Sequence, residues 1–445
     1  MSGERGQVTA WAVGIALLLF GLMALATDVG FWLVERRAGQ NRADAAVLAA
    51  VHELPLAQAN IGVASGVAQK WLTRNGETAS ECNAGNTPAE YTLFDTGFGY
   101  ADTDSDGAYD KIRACVARDG ILVFSNLLGL TGVDVRAVAA AAVLEEPARY
   151  ALMAMNPDDC AGGDGQKSLY LHGNPEVILG NDGSSYTATP CLDEGLYLQG
   201  TNADMTGGLH DFCGEDFFET APNLVGTPRP FICDIPDPWA GYDQPVPGTC
   251  KPHNGSANVY DDLVQTPGTF CRNLDIRDHV TFEPGVYIFK AGMSMQNNNY
   301  SITGDEVLFY FTCEDAVTEC CPPSEADCTQ GADEAAPFEM NGGSIDISAP
   351  EEDPHILIWI DRTSRAPQPA NKCHVYLIGN GGMSIAGHIY SWNGCVSIGG
   401  TSDGSGRTFD GTILGDKIEF SGNATYNINW DEDFAPKIFI PTLIE

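Results

Sequence analysis

The chain is short of positive charge. It carries 23 lysines and arginines against 60 aspartates and glutamates, for a formal net charge of −37. A surface of that sign repels nucleic-acid phosphates, which excludes nucleic acid as a partner. The chain also lacks C-x-x-C pairs and any H-E-x-x-H, the spacings by which thiolates and histidines usually gather zinc. Its eight histidines are scattered. His374 and His388 fall in strand-like runs, where a packed or exposed histidine is ordinary. From Asn156 onward no convincing helical pattern occurs, and glycine, asparagine, aspartate and proline become dense.

What is present starts at the N-terminus. An uncharged run extends from Gly6 to Thr27, and a helical pattern continues through Glu35-Arg36-Arg37 to about His52. A bilayer core takes about 20 apolar residues, so the run is long enough to span once. One continuous helix would be about 65–70 Å long. Ala24-Leu25-Ala26 fits a signal-peptidase site, which keeps a cleaved signal peptide open as the alternative to an uncleaved anchor. Arg36, Arg37 and Arg42 follow the run, whereas Arg5 and the free amine precede it. Counted alone, those charges would hold the C-terminal bulk inside the cell.

The cysteines argue for export. There are 14, an even number: Cys82, Cys115, Cys160, Cys191, Cys213, Cys233, Cys250, Cys271, Cys313, Cys320, Cys321, Cys328, Cys373 and Cys395. All follow the helix, and all are disulfide candidates in an oxidising compartment. Adjacent Cys320 and Cys321 are expected to reach different partners, in a stapled loop. Large domains can translocate despite flanking charge, so the bulk is expected outside the cytoplasm.

Three regions follow. Residues 1–53 form the membrane-spanning helix with its alanine-rich extension. Residues 54–148 read as a small α+β domain with an acidic loop. Val63 to Thr73 suits a helix there, and the alternation in Val133 to Val143 suits an edge strand. Residues 149–445 read as an all-β domain of short strands between glycine-rich turns, such as Ser168 to Asn174, Gly343 to Ile347 and Lys417 to Asn423. Such strands bury a face only by stacking, which points to a right-handed parallel β-helix or solenoid. A jelly roll or β-sandwich is the alternative. Tyr242 to Thr269 and Cys313 to Ala336 read as long loops.

Asp102, Asp104, Asp106 and Asp110 alternate around Gly107. Calcium takes about six to eight oxygens, and this spacing matches the first half of an EF-type loop. Arg113 stands where the bidentate glutamate would be, so a full EF-hand is not expected. A structural Ca2+ and a solvated acidic turn both remain open. Gly400-Thr401-Ser402-Asp403-Gly404 matches G-x-S-x-G but lies in a glycine-rich loop, not between a strand and a helix. Asp361, Asp403 and Asp410 would be the carboxylates of a polysaccharide-active groove. In a chain with so many acids that choice carries little weight, and no catalytic residue is expected.

The N-terminal sequence has a further likeness. Arg5-Gly6-Gln7-Val8, the apolar run, Asp28-Val29-Gly30 and then Glu35-Arg36-Arg37-Ala38-Gly39-Gln40-Asn41-Arg42-Ala43-Asp44-Ala45-Ala46 resemble the N-terminal region of TadG-like Flp pilus-assembly proteins. Phe124 to Ala141 resembles the end of that family's small domain. Phe282-Glu283-Pro284-Gly285-Val286-Tyr287-Ile288, Ile347-Ser348-Ala349-Pro350 and Phe420-Ser421-Gly422-Asn423-Ala424-Thr425 resemble phrases in its longer members. The resemblance implies a single-pass protein of a bacterial inner membrane, with a periplasmic or extracellular bulk. It implies a non-enzymatic role in assembling or anchoring an adhesive pilus, with Tad/Flp machinery or pilus proteins as partners and no small-molecule substrate. No acid follows Gly6 as in related minor pilins, so prepilin-type cleavage there is not expected. A surface adhesin or carbohydrate-binding β-helix is the second reading, and a polysaccharide-active enzyme the third.

Overall fold

The computed structural model describes the chain apart from residues 1–3, 55, 81–89, 92, 96, 104–106, 120–133, 156–167, 182, 189–195, 200–202, 214–222, 232–234, 253–262, 314–336, 353, 365–372, 402–405 and 445. Two compact units emerge: Met1–Glu146 with Phe439–Glu445, and Pro147–Ile438.

In the first unit, helix α1 covers Glu4–Val51. No proline interrupts it, and alanine and leucine favour it throughout. Short bonds from Glu53 N to Ala50 O and from Leu54 N to Val51 O close its last turn. Pro55 then disfavours further helix. Its second half buries Ala43, Ala46, Val47 and Ala50, a spacing that puts them on one face. That face packs on α2, Gly62–Arg74, through Ala64, Ala68 and Leu72, and on Ile112, Ala114, Ala139 and Ala141 of a sheet. Alanines permit the close approach: a Cβ at Gly39 would lie 3.3 Å from that of Ala137. Gln40 also donates to Val138 O at 2.7 Å.

The sheet runs in the order Leu93–Asp95, Phe98–Ala101, Lys111–Asp119, Asp134–Pro147 and Lys437–Leu443. The first three pairings are antiparallel. Two expectations change here. The strand expected at Val133 to Val143 is not at an edge, because the C-terminal strand flanks it and Ile444 N bonds to Ala140 O. Phe439–Glu445 accordingly leaves the region drawn as 149–445 and joins the first unit. Alternation reports which side chains face a core, and it carries no information about which distant strand lies alongside.

The second unit is mostly β, with a large sheet in which each described pairing is parallel. Strands pair with the strand three places on, in three ladders. The first steps from His279–Phe282 through Ser301–Gly304, Ser344–Ser348, Met383–Ala386 and Arg407–Asp410 to Thr425–Asn429. The second steps from Leu274–Ile276 through Met293–Met295 and Phe338–Asn341 to Val375–Ile378. The third steps from Gly268–Phe270 through Gly285–Phe289 and Val307–Phe311 to Ile356–Ile360. His388–Gly400 and Ile413–Gly422 each span the second and third ladders.

In-register stacking brings like residues together. Phe270, Phe289 and Phe311 stack in register along the third ladder, with ring centroids 5.1 and 4.9 Å apart, and Phe338 of the second ladder stacks on Phe311 at 5.7 Å. Arg407 breaks the apolar rule. It lies in register between Met383 and Tyr426, is fully buried, and donates to Gly379 O at 2.5 Å.

The order of rungs is not the order of the chain. Strands between Tyr150 and Gly180 pair with Ser184–Thr187, Leu196–Gln199 and Asp204–Cys213 on one side. On the other side they pair with Ile413–Gly422 and Thr425–Asn429. The chain therefore starts in the interior of the stack, runs to one end at Leu224–Phe231, and re-enters at the other end near Val264. Residues 235–252 belong to the crossing and form a strap over the third ladder. Trp239 packs on Tyr390 at 5.4 Å between centroids. Arg362 donates to Tyr242 O at 2.6 Å, to Trp239 O at 3.0 Å and to Ala240 O. Gly248 N reaches Thr269 Oγ1 at 2.8 Å, and the Cys250–Cys271 disulfide fastens the end. Of the loop expected at Tyr242 to Thr269, residues 242–252 lie in this strap, residues 253–262 lie outside the described residues, and the end instead forms the strands Val264–Gln265 and Gly268–Phe270.

Candidate functional site

Among the described residues, the large apolar side chains of α1 from Trp11 to Val34 are exposed. Trp11, Leu17 and Phe20 are 71%, 68% and 67% exposed, and Leu33 and Val34 remain exposed. Burial of apolar side chains begins only at Ala43. Trp11 to Val34 measures about 35 Å at 1.5 Å per residue, against about 30 Å for a bilayer core. Among the described residues this helix alone is long and apolar enough to cross a membrane. Asp28 is the exception within it, buried and partnered. After the exposed stretch come Glu35, Arg36 and Arg37. Arg42 then pairs with Glu77, tying the helix to the segment after α2.

The acidic loop joins Phe98–Ala101 to Ala108–Tyr109. Asp102 Oδ2 accepts from Gly107 N at 3.0 Å. Asp110 accepts from Thr103 N at 3.0 Å and from the Thr103 hydroxyl. Those carboxylates therefore serve the turn's own backbone. Asp104 and Asp106 lie outside the described residues, so the four expected calcium ligands are not seen together.

Among the described cysteines, Cys250–Cys271 and Cys373–Cys395 are bonded pairs. Cys115, Cys213 and Cys313 are disulfide-bonded as well. The remaining candidates, Cys82, Cys160, Cys191, Cys233, Cys320, Cys321 and Cys328, lie outside the described residues. Cys373, Cys395 and Glu419 bring potential metal-binding atoms together, but the two sulfurs are bonded to each other rather than held as thiolates.

Residues 6–59 match the family model of TadE/G-like Flp pilus-assembly proteins. The N-terminal region of this chain is TadE/G-like. Comparison with curated proteins and with solved structures returns no match.

The TadE/G-like match ends at residue 59, before α2 begins at Gly62. Asp361 is buried and accepts from Tyr310 Oη at 2.7 Å, Thr312 Oγ1 at 2.8 Å and Thr363 N at 2.9 Å. Asp410 is exposed and accepts from Asn429 Nδ2 at 2.7 Å. Asp403 and most of G-x-S-x-G lie outside the described residues. His374, directly before the strand Val375–Ile378, and His388, at the start of His388–Gly400, are both buried. His388 accepts from Thr412 N at 2.9 Å through Nδ1 and donates to Phe434 O at 2.6 Å through Nε2. Burial pushes the imidazole of His374 down to about 4.

Sequence reasoning missed a set of tyrosine–aspartate bonds, two of them buried and one half-buried. Tyr150 donates to Asp211 at 2.7 Å, Tyr310 to Asp361 at 2.7 Å, and Tyr390 to Asp237 at 2.6 Å. Arg229 adds two bonds to Asp211, at 2.8 and 2.6 Å. Burial, then the adjacent carboxylate, pushes each of those hydroxyls far above its ordinary range. The partners are 61, 51 and 153 residues apart, so no local spacing signals them.

Proposed function

We propose that this chain is a single-pass, non-enzymatic component of Flp/Tad pilus biogenesis in a bacterial envelope. It acts by protein–protein contact in assembling or anchoring the pilus, with its bulk on the periplasmic or extracellular side of the inner membrane. The observation that carries this reading is the coincidence of the TadE/G-like match with the helix whose first half is apolar and exposed. The paired cysteines support an oxidising location.

We also read the three parallel ladders as a right-handed β-solenoid. The step of three strands and the parallel registers support it over a jelly roll or β-sandwich, which are built mainly from antiparallel neighbours. Its outward row Thr281, Thr303, Asp346, Ser384, Thr408 and Asn427 is a regular polar surface. That row supports adhesion to a surface glycan as the second reading. A structural calcium ion at Asp102, Asp104, Asp106 and Asp110 would stiffen the loop of the first unit.

Deleting the gene and imaging the cells tests the main reading. Loss or detachment of pili, restored by the full chain and not by a version starting after Leu54, is expected. Normal pili in the deletion strain would remove the assembly role. Binding on a glycan array with intact pili would favour the adhesin. For calcium, a chelator should lower the melting temperature of the full chain, and an unchanged value would reject the ion.

A further inference from the structure

The second unit contains a cleft of about 350 Å³ that none of the readings above uses. It forms where the first ladder turns into the third. Two consecutive turns there are minimal. Gly387 and Gly411 have φ of 130° and 149°, and a Cβ at Gly387 would run into Ala349 and Leu357. These turns make a flat floor, held by bonds from Gly387 N to Asp410 O at 2.8 Å and from Gly411 N to Asn429 O at 2.9 Å. The corners on either side are longer. One carries Pro350, Glu351 and His355, and the other carries Asp431 and Phe434. His355 and Phe434 meet edge to face, with centroids 4.4 Å apart, and join the two walls.

The walls are held in place. His355 has φ of 52°, a costly conformation for a residue with a side chain. Its Nδ1 lies 3.0 Å from Pro350 O, which accepts its proton and leaves Nε2 as an acceptor. His388 fixes the Phe434 carbonyl from below.

The lining chooses the ligand class. Glu351, Asp410 and Asp431 are exposed at this cleft, and no lysine or arginine lines it. Ala349, Pro350, Ala386 and the ring of Phe434 supply apolar wall. The carboxylates and His355 do not converge as metal ligands do; among the described residues only Cys373, Cys395 and Glu419 come so close together. A bare divalent ion is therefore a poor fit. A cation with an apolar stem fits better, since its charge meets carboxylates and an aromatic face while its stem covers apolar wall. Asp410 Oδ1 already accepts from Asn429 and Asp431 Oδ1 from Asp433 N, and each carboxylate keeps a second oxygen. Primary ammonium is favoured over quaternary because its three N–H donors can meet those oxygens and His355 Nε2.

We propose that this cleft binds a primary alkylammonium group, carried either by a lysine side chain of a partner protein or by a free amine. Titration of the full chain in detergent with cadaverine and with a lysine-containing peptide, followed by calorimetry, tests it. Saturable binding of at least one is expected, lost when the amine is acetylated and weakened at least tenfold in Asp410→Asn and Asp431→Asn. Asp410→Asn keeps an acceptor for Asn429, so its melting temperature should stay at the wild-type value. Preference for the peptide assigns the group to a protein partner, and preference for cadaverine to a free amine. Binding of neither, equal binding of 1-butanol, or unchanged affinity in both variants would overturn the proposal. The readout is independent of pilus formation.

Discussion

Tyr390 Oη donates to Asp237 Oδ2 at 2.6 Å, joining residues 153 positions apart. The bond fixes the start of the strap to a strand of the third ladder. Burial raises the Asp237 carboxyl, so that group depends on its partners. Tyr390→Phe should destabilise the chain by about 1 kcal/mol, because it takes one donor from a half-buried carboxylate that Trp239 N also meets. Arg362→Ala should expose the strap to protease without altering the family-matched helix. Denaturant midpoints and limited proteolysis check both. Wild-type values in both variants would mean that the strap merely lies on the ladder.

His374 predicts a pH dependence. Its folded pKa of about 4 lies below the ordinary 6.5 because burial penalises the charged ring. Between those values the unfolded chain holds a proton that the folded chain refuses. Stability is fully present above pH 6.5 and is lost as pH falls toward 4, by up to about 3 kcal/mol. His374→Gln should flatten the slope of unfolding free energy in that window. His210 is shifted the same way by burial, so a residual slope remains. An identical slope in the variant would place the titration elsewhere.

The exposed apolar half of α1 predicts a localised sensitivity. Leu18→Arg puts a charge near the centre of the span, at a cost of about 3 kcal/mol of insertion. The variant should shift from the carbonate-resistant membrane fraction toward the soluble one. Val63→Arg, at an exposed position on α2, should stay with the membrane. Equal fractionation of the two variants would argue against α1 as the anchor.

The end of the parallel stack predicts an association hazard. Leu224–Phe231 pairs with Asp204–Cys213 and with no other described strand. Pro228 and Pro230 lack N–H donors, which blunts the strand as a template for another chain. Replacing both with threonine should produce concentration-dependent association in sedimentation velocity. A variant that stays monomeric at all concentrations would show that the prolines do not guard this edge.

Legibility in the sequence followed the range of the interactions. The long apolar helix, its extension to about residue 51, the helix near Val63 and the short strands after Asn156 depend on local runs and periods, and they could be read directly. The aspartate spacing was equally visible, yet Asp102 and Asp110 direct oxygens to their own loop. Arg407 was illegible as a core residue, since nothing in a polar side chain announces that it will lie between Met383 and Tyr426. The ammonium cleft was illegible too. Its residues come from four separate turns that meet only when the ladders are stacked.

The amino-acid sequence by itself determined a helix long and apolar enough to cross a membrane, an even set of 14 cysteines and the short-strand character. An apolar run, cysteine content and alternation act within a few residues or through composition. The tertiary structure alone decided that the first rung lies inside the stack and that the strap crosses the third ladder. It also decided that the last strand joins the first unit. Parallel pairing leaves the partner of each strand open, and that choice is made by registers and side-chain contacts between residues far apart in the chain.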